Sequence, residues 1–145
     1  MTVTISKIYK ELCDKLSDIE ARIILKERAN LEWSEIIANP EREIETQTIQ
    51  NDLAQRLKGK PLSKIYGKRE FWGREFKVNE NTLDPRPDSE TLIEVALNHY
   101  KNKPHPQTIL DLGTGTGCLL LTLLKEIPDA KGIGVDISPE ALKIA

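Results

Sequence analysis

Cysteine is scarce in this chain of 145 residues: Cys13 and Cys118 are its only two, far apart and in no Cys-x-x-Cys pair. A disulfide-stapled scaffold is therefore excluded, and free thiols in a reducing compartment are expected. The two histidines, His99 and His105, have no acid or cysteine at metal-ligand spacing, so no metal site is expected. No stretch approaches ~18 consecutive apolar residues, and the N-terminus has no apolar leader core. Neither a membrane span nor a secretory leader is expected on this reading, and the protein is expected to be cytoplasmic. Charge of one sign is also missing: 21 basic and 23 acidic residues alternate along the chain. That balance gives no basic face for nucleic acid or an anionic membrane.

What the chain does have is a run of alternating glycines. Thr108-Ile109-Leu110-Asp111-Leu112 is a short apolar segment carrying an acid, Gly113-Thr114-Gly115-Thr116-Gly117 follows, and Cys118-Leu119-Leu120-Leu121 resumes the apolar texture. The pattern predicts a buried strand, a tight turn and a helix that starts at the turn. Glycine at alternate positions accepts positive φ and lets backbone approach a ligand, and helix-start amides are expected to offer donors to it. Further on, Gly132-Ile133-Gly134-Val135-Asp136 is a second apolar strand ending in an acid, the position that takes ribose hydroxyls in nucleotide-binding α/β folds. The spacing is G-x-G-x-G, with Cys118 after Gly117, so it is not the G-x-G-x-x-G dinucleotide fingerprint. A phosphate-binding P-loop is also excluded, because no Gly-Lys-Ser/Thr follows. Asp111-x-Gly-x-Gly-x-Gly with Asp136 resembles the first two motifs of class I methyltransferases that bind S-adenosylmethionine.

The first sixty residues are helical by periodicity. Ile5, Ile8, Tyr9, Leu12, Leu16 and Ile19 form one apolar stripe. Ser17 and Glu20 make a capping-box pair ahead of a second helix carrying Ala21, Ile24 and Leu25. Trp33, Ile36 and Ile37 mark a third segment that stops at Asn39-Pro40. A fourth runs from about Glu43, with Ile49, Leu53 and Leu57 inward and Gly59 as its stop. From Pro61 the texture turns aromatic and β-branched. The run Lys64 to Trp72 and the run Glu75 to Val78 predict a hairpin turning near Trp72-Gly73. Pro85-Arg86-Pro87 holds an extended loop that displays Arg86, and Asp88 or Ser89 is placed to cap a helix from Glu90 to about Tyr100.

Three stretches together resemble one family: Pro61-Leu62-x-x-Ile65-x-Gly67-x-x-Glu70-Phe71-Trp72-Gly73, then Pro85-Arg86-Pro87-Asp88-Ser89-Glu90, then Asp111 to Gly117. The chain is similar there to the HemK family, the peptide chain release factor glutamine methyltransferases. Two departures stand out: Asp84 occupies a position where the family has an apolar residue, and Ser89 replaces threonine while keeping its hydroxyl. The resemblance implies an α/β fold with a helical substrate-recognition domain (1–60), a linking β-hairpin (61–82) and the beginning of a Rossmann-like, class I methyltransferase domain (83–145). It also implies methyl transfer from S-adenosylmethionine to the glutamine of a Gly-Gly-Gln loop, with a release factor as protein partner. Gly113, Thr114, Gly115, Thr116 and Gly117 would hold the methionine end of the cofactor, and Asp136 the ribose.

The family binds its target amide with an Asn-Pro-Pro-Tyr motif, which the chain does not contain, so no catalytic residue is assigned within it. An amide nitrogen is a poor nucleophile because its lone pair is delocalised, and it must be oriented by hydrogen-bond acceptors. The chain is accordingly expected to be an N-terminal portion of an enzyme. Two other readings stand beside this one. One is a methyltransferase acting on another protein glutamine, such as that of a ribosomal protein, or on a nucleic-acid amine. The other is a protein-docking module with no activity of its own.

Overall fold

Ser17 does cap a helix. Its hydroxyl accepts from the Glu20 backbone N–H, while the Glu20 carboxylate accepts from Ser17 N, closing both halves of the box. In the computed structural model, which describes all residues from Met1 to Ala145, this box opens α2 (Asp18–Ala29), after α1 (Ile5–Cys13). α3 (Trp33–Ala38), α4 (Gln47–Leu57) and α5 (Leu62–Tyr66) complete the helices of a first compact unit, Met1–Tyr66. Ile5, Ile8, Leu12, Ala21, Ile24, Leu25, Ile36, Ile49 and Leu53 bury their side chains together as its core. No helix of either unit is long and apolar enough to cross a membrane.

The sequence reading departs from this unit in four places. Glu43–Glu45 is a strand, β2, rather than the first turn of a helix, and it pairs antiparallel with β1 (Thr2–Thr4). Its Glu-Ile-Glu alternation buries Ile44 and exposes both acids, a period of two rather than 3.6. Lys64 to Tyr66, read as extended, belongs to helix α5, whose first turn closes on the Pro61 carbonyl. Ile19 is 69% exposed, because the break at residues 14–17 resets the helical phase and turns it outward. Leu57, at the last turn of α4, is also exposed.

Polar contacts tie α5 to the bundle. Asp52 on α4 is buried and accepts from Arg28 Nε and Nη2 at 2.6 and 3.0 Å and from the Tyr66 hydroxyl at 2.8 Å. Burial, with the Asp52 carboxylate alongside, pushes the Tyr66 hydroxyl well above the ordinary phenol range, so it stays a donor. The Arg28 guanidinium also lies over the Tyr66 ring.

The second unit, Gly67–Ala145, begins with a hairpin of β3 (Lys68–Phe71) and β4 (Arg74–Lys77) that turns at Trp72-Gly73, as expected. α6 (Glu90–Tyr100) follows. Neither Asp88 nor Ser89 caps it through a side chain; a 3-10 turn over Pro87–Ser89 leads directly into it. β5 (Thr108–Leu112), α7 (Cys118–Glu126) and β6 (Lys131–Val135) then form a parallel βαβ unit, in register from Thr108↔Lys131 to Leu112↔Val135. Phe71, Phe76, Ile93 and Cys118 are its buried centre, with Trp72, Leu97, Leu119 and Leu123 packed around them. α7 lies close on β6 because β6 presents glycine to it: a Cβ on Gly132 would stand 2.6 Å from Leu124 Cδ1. Leu110, Leu112, Ile133 and Val135 are all about half exposed or more.

Removing the Asp52 carboxylate strands the Arg28 guanidinium and the Tyr66 hydroxyl. Fully buried pairs cost ~3–5 kcal/mol to break, and Arg28, about a third exposed, partly rehydrates. Asp52→Ala should therefore lower the stability of the helical unit by about 2 kcal/mol, read as an earlier helical transition in urea, with the Arg28→Ala, Asp52→Ala double variant less destabilised than the two single changes summed.

Candidate functional site

The site is the loop that joins β5 to α7, closed from the side by the end of β6. Its three glycines all take positive φ: 81° at Gly113, 56° at Gly115 and 74° at Gly117. Gly115 decides the loop's shape. A Cβ there would meet only Gly113 O, at 3.9 Å, so space does not demand glycine; the left-handed backbone does. Gly117 is the N-cap of α7.

The loop is held by backbone groups on β6 and by one carboxylate. Val135 O accepts from both Gly113 N and Thr114 N, at 2.7 and 2.9 Å. Asp136 follows directly, and its Oδ2 accepts from Gly115 N at 2.8 Å while its Oδ1 accepts from Ser138 N at 2.9 Å. Those two amides, Ser138 first and Gly115 second, hold the Asp136 carboxyl below the usual carboxylate range, so it is ionised at neutral pH. Ser138 also caps α8 (Pro139–Leu142) by accepting from Ala141 N, and Pro139 opens that helix as the sequence indicates.

All six expected residues, Gly113 to Gly117 and Asp136, thus meet in one cluster, but the direction of the loop's donors differs from expectation. Gly113 N and Thr114 N point to Val135 on β6, Gly115 N to Asp136 just after it, Gly117 N donates to Thr114 O at 2.8 Å, and Cys118 N reaches Thr116 Oγ1 at 3.4 Å. These five amides are spent inside the protein, so the loop offers a ligand a close backbone surface rather than a full nest of N–H donors. The threonines turn inward as well. Thr114 and Thr116 are buried, and Thr114 Oγ1 donates to Asp111 Oδ2 at 2.8 Å.

Three contributors escaped the sequence reading. Gly134 faces Thr114, where a Cβ would stand 3.0 Å from Oγ1; a glycine inside a strand pattern was the signal for that close approach. Ser138 N and Val135 O left no signal, since backbone partners do not show in residue type. Burial raises the Cys118 thiol, so it stays protonated and is no nucleophile. Arg86 is exposed, just ahead of the 3-10 turn.

Two family models match the chain: the PrmC N-terminal domain over residues 8–67 and a methyltransferase domain over residues 105–145. The release factor glutamine methyltransferase of Bradyrhizobium diazoefficiens is 40% identical over 89% of the chain and 45% of its own length. That of Caulobacter vibrioides is 36% identical over the whole chain and 53% of its length. The bifunctional methyltransferase of Rickettsia bellii is 33% identical over the whole chain and 32% of its own length. The chain spans about half the length of the release factor glutamine methyltransferases it matches.

Since φ rather than space requires glycine at position 115, Gly115→Ala should cost about 1 kcal/mol in the second unit through the left-handed backbone alone. Gly134→Ala should act differently, by pushing Thr114 off Asp111. Chemical denaturation followed at Trp72, with Trp33 replaced, measures both; equal and negligible losses would mean the loop is not held as described.

Proposed function

For a chain that belongs to the release factor glutamine methyltransferase family, with its PrmC N-terminal domain followed by the beginning of its methyltransferase domain, we propose methyl transfer from S-adenosylmethionine to the side-chain amide nitrogen of a glutamine. The target is the glutamine in the Gly-Gly-Gln loop of a peptide chain release factor, and the reaction belongs to translation termination in the cytoplasm. The activity is that of a protein of the relatives' length that carries this chain.

One observation carries the reading: the amides of Gly113, Thr114, Gly115, Gly117 and Cys118 donate within the protein. A pyrophosphate needs those N–H groups as donors, whereas the methionine end of S-adenosylmethionine brings an ammonium group, itself a donor, which does not call on them. The residues fit the cofactor in a second respect. A Cβ built on Gly113 meets nothing within 4 Å, so the loop's outer surface is open. When bound, the cofactor would supply a methyl group on a sulfonium, whose neutral thioether leaves readily enough for a weak nucleophile.

The chain's own residues bind and orient. Gly113 to Gly117 give the backbone surface against which the methionine end lies. Thr114 and Thr116 act through their backbone, because their side chains are buried. Asp136 accepts the ribose hydroxyls: a carboxylate has roughly four lone-pair sites, and Gly115 N and Ser138 N take two. Residues 1–60 receive the release factor with the help of the hairpin in residues 61–82, which also link, and residues 83–145 begin the cofactor domain. The acceptors that orient the target amide belong to an Asn-Pro-Pro-Tyr motif, which the chain does not contain.

The deciding experiment is a methyl-transfer assay of the full-length protein on purified release factors, using S-adenosylmethionine labelled at its methyl group. Label should appear on the loop glutamine and vanish when that glutamine is replaced; label on other proteins or on RNA would refute the substrate assignment. In the same protein, Asp136→Ala should weaken S-adenosylmethionine by at least about tenfold by calorimetry, from the loss of charge-assisted hydrogen bonds. Unchanged affinity would remove Asp136 from the site.

A further inference from the structure

Trp72 sits where its residue type is unfavourable. Phe71 pairs with Arg74, so the hairpin loop is the two residues Trp72 and Gly73, with φ of 52° and 65°. Two positive values in a two-residue loop describe a type I′ turn, for which Asn-Gly or Asp-Gly is the low-energy choice. A tryptophan there carries a left-handed backbone that it does not favour, and such outliers persist only where surrounding contacts fix them.

Those contacts are present, and both come from acids on helices of the same unit. The Trp72 backbone N–H donates to Glu90 Oε1 at 2.7 Å, at the first residue of α6. The Trp72 indole N–H donates to Glu126 Oε1 at 3.2 Å, at the last residue of α7, and Arg74 Nη2 donates to the same oxygen at 2.8 Å. Arg74 and Glu126 are each about one-third exposed, so the pair is only partly screened. If the turn served only to reverse the chain, asparagine would do so with less strain. The indole earns its place through what it reaches.

We propose that Trp72 and Glu126 are positioning residues: the indole, with Arg74, fixes the hairpin tip to the end of the helix that starts at the glycine loop, and so sets where the hairpin stands for the protein substrate. The inference rests on the function proposed above. α7 has nine residues, so Glu126 lies roughly 13 Å along the helix from the glycine loop. The loop has its own ties to Val135 and Asp136. Loosening the tip therefore leaves cofactor binding intact and changes the encounter with the protein substrate.

Trp72→Asn separates this role from a merely structural one, because Asn-Gly suits the turn better than Trp-Gly. In the full-length protein, Trp72→Asn should keep the β3–β4 cross-strand amide protection, the better turn offsetting part of the packing that the indole gives the Phe71–Cys118 cluster. Because the hairpin, on the function proposed above, helps receive the release factor, the substitution should raise KM for the release factor at least about fivefold while leaving kcat and KM for S-adenosylmethionine within about twofold. Glu126→Ala should do the same and speed exchange of the Trp72 indole N–H about tenfold; Glu126→Gln, which keeps an acceptor oxygen, should recover part of both. Unchanged release-factor KM in Trp72→Asn and Glu126→Ala, or a loss shared equally with S-adenosylmethionine, would overturn the proposal. So would an unaltered indole exchange rate in Glu126→Ala. An unmutated protein that methylates no release factor would refute the function instead, while indole exchange in the 145-residue chain would still show whether Glu126 anchors the tip.

Discussion

The carboxylate of Asp136 joins the end of one parallel strand to the loop that leaves the other. Its two oxygens accept from Gly115 N and Ser138 N, which lie on opposite sides of it in sequence. β5 and β6 bring the loop within reach through the paired bonds of Gly113 and Thr114 to Val135 O. The carboxylate then fixes the middle of the loop in a left-handed turn that only glycine adopts freely. The inward direction of the Gly113, Thr114 and Gly115 amides follows from that arrangement. A site built this way is preorganised: the acid that would bind ribose also shapes the loop beside it.

Much of this was legible in the residues. The glycine spacing excluded a dinucleotide fingerprint and a P-loop, and the acid after the second apolar strand lies in the cluster where the pattern put it. The Ser17–Glu20 box, the α6 span from Glu90 to Tyr100 and the turn at Trp72-Gly73 were also readable, because each depends on residues close in sequence. The pairing of Thr2–Thr4 with Glu43–Glu45 was not, since two three-residue strands far apart leave too short a pattern for a period to register. Helix α5 was hidden by the aromatic and β-branched residues that follow Pro61; its conformation is fixed instead by Tyr66 reaching Asp52. The direction in which the loop amides point was out of reach altogether, because spacing says where a loop is and not which partner its N–H groups take.

Glu90 and Glu126 show the same limit. Each reads as an ordinary helix glutamate, one in a first turn and one in a last. Only the fold reveals that both are aimed at Trp72. The hairpin is consequently tied to the second unit through its tip as well as through Phe71 and Phe76.

The central claim is that the Asp136 carboxylate shapes the glycine loop, and acid titration of the 145-residue chain by nuclear magnetic resonance tests it most directly. A carboxylate whose folded pKa is depressed contributes stability that is complete above its unfolded value and is lost as pH falls through the folded value. The account predicts that the Gly115 and Ser138 amide resonances shift together, in one transition below the ordinary aspartate range, and that Asp136→Asn abolishes it. A Gly115 resonance that stays still, or that moves at the ordinary aspartate pKa, would contradict the account.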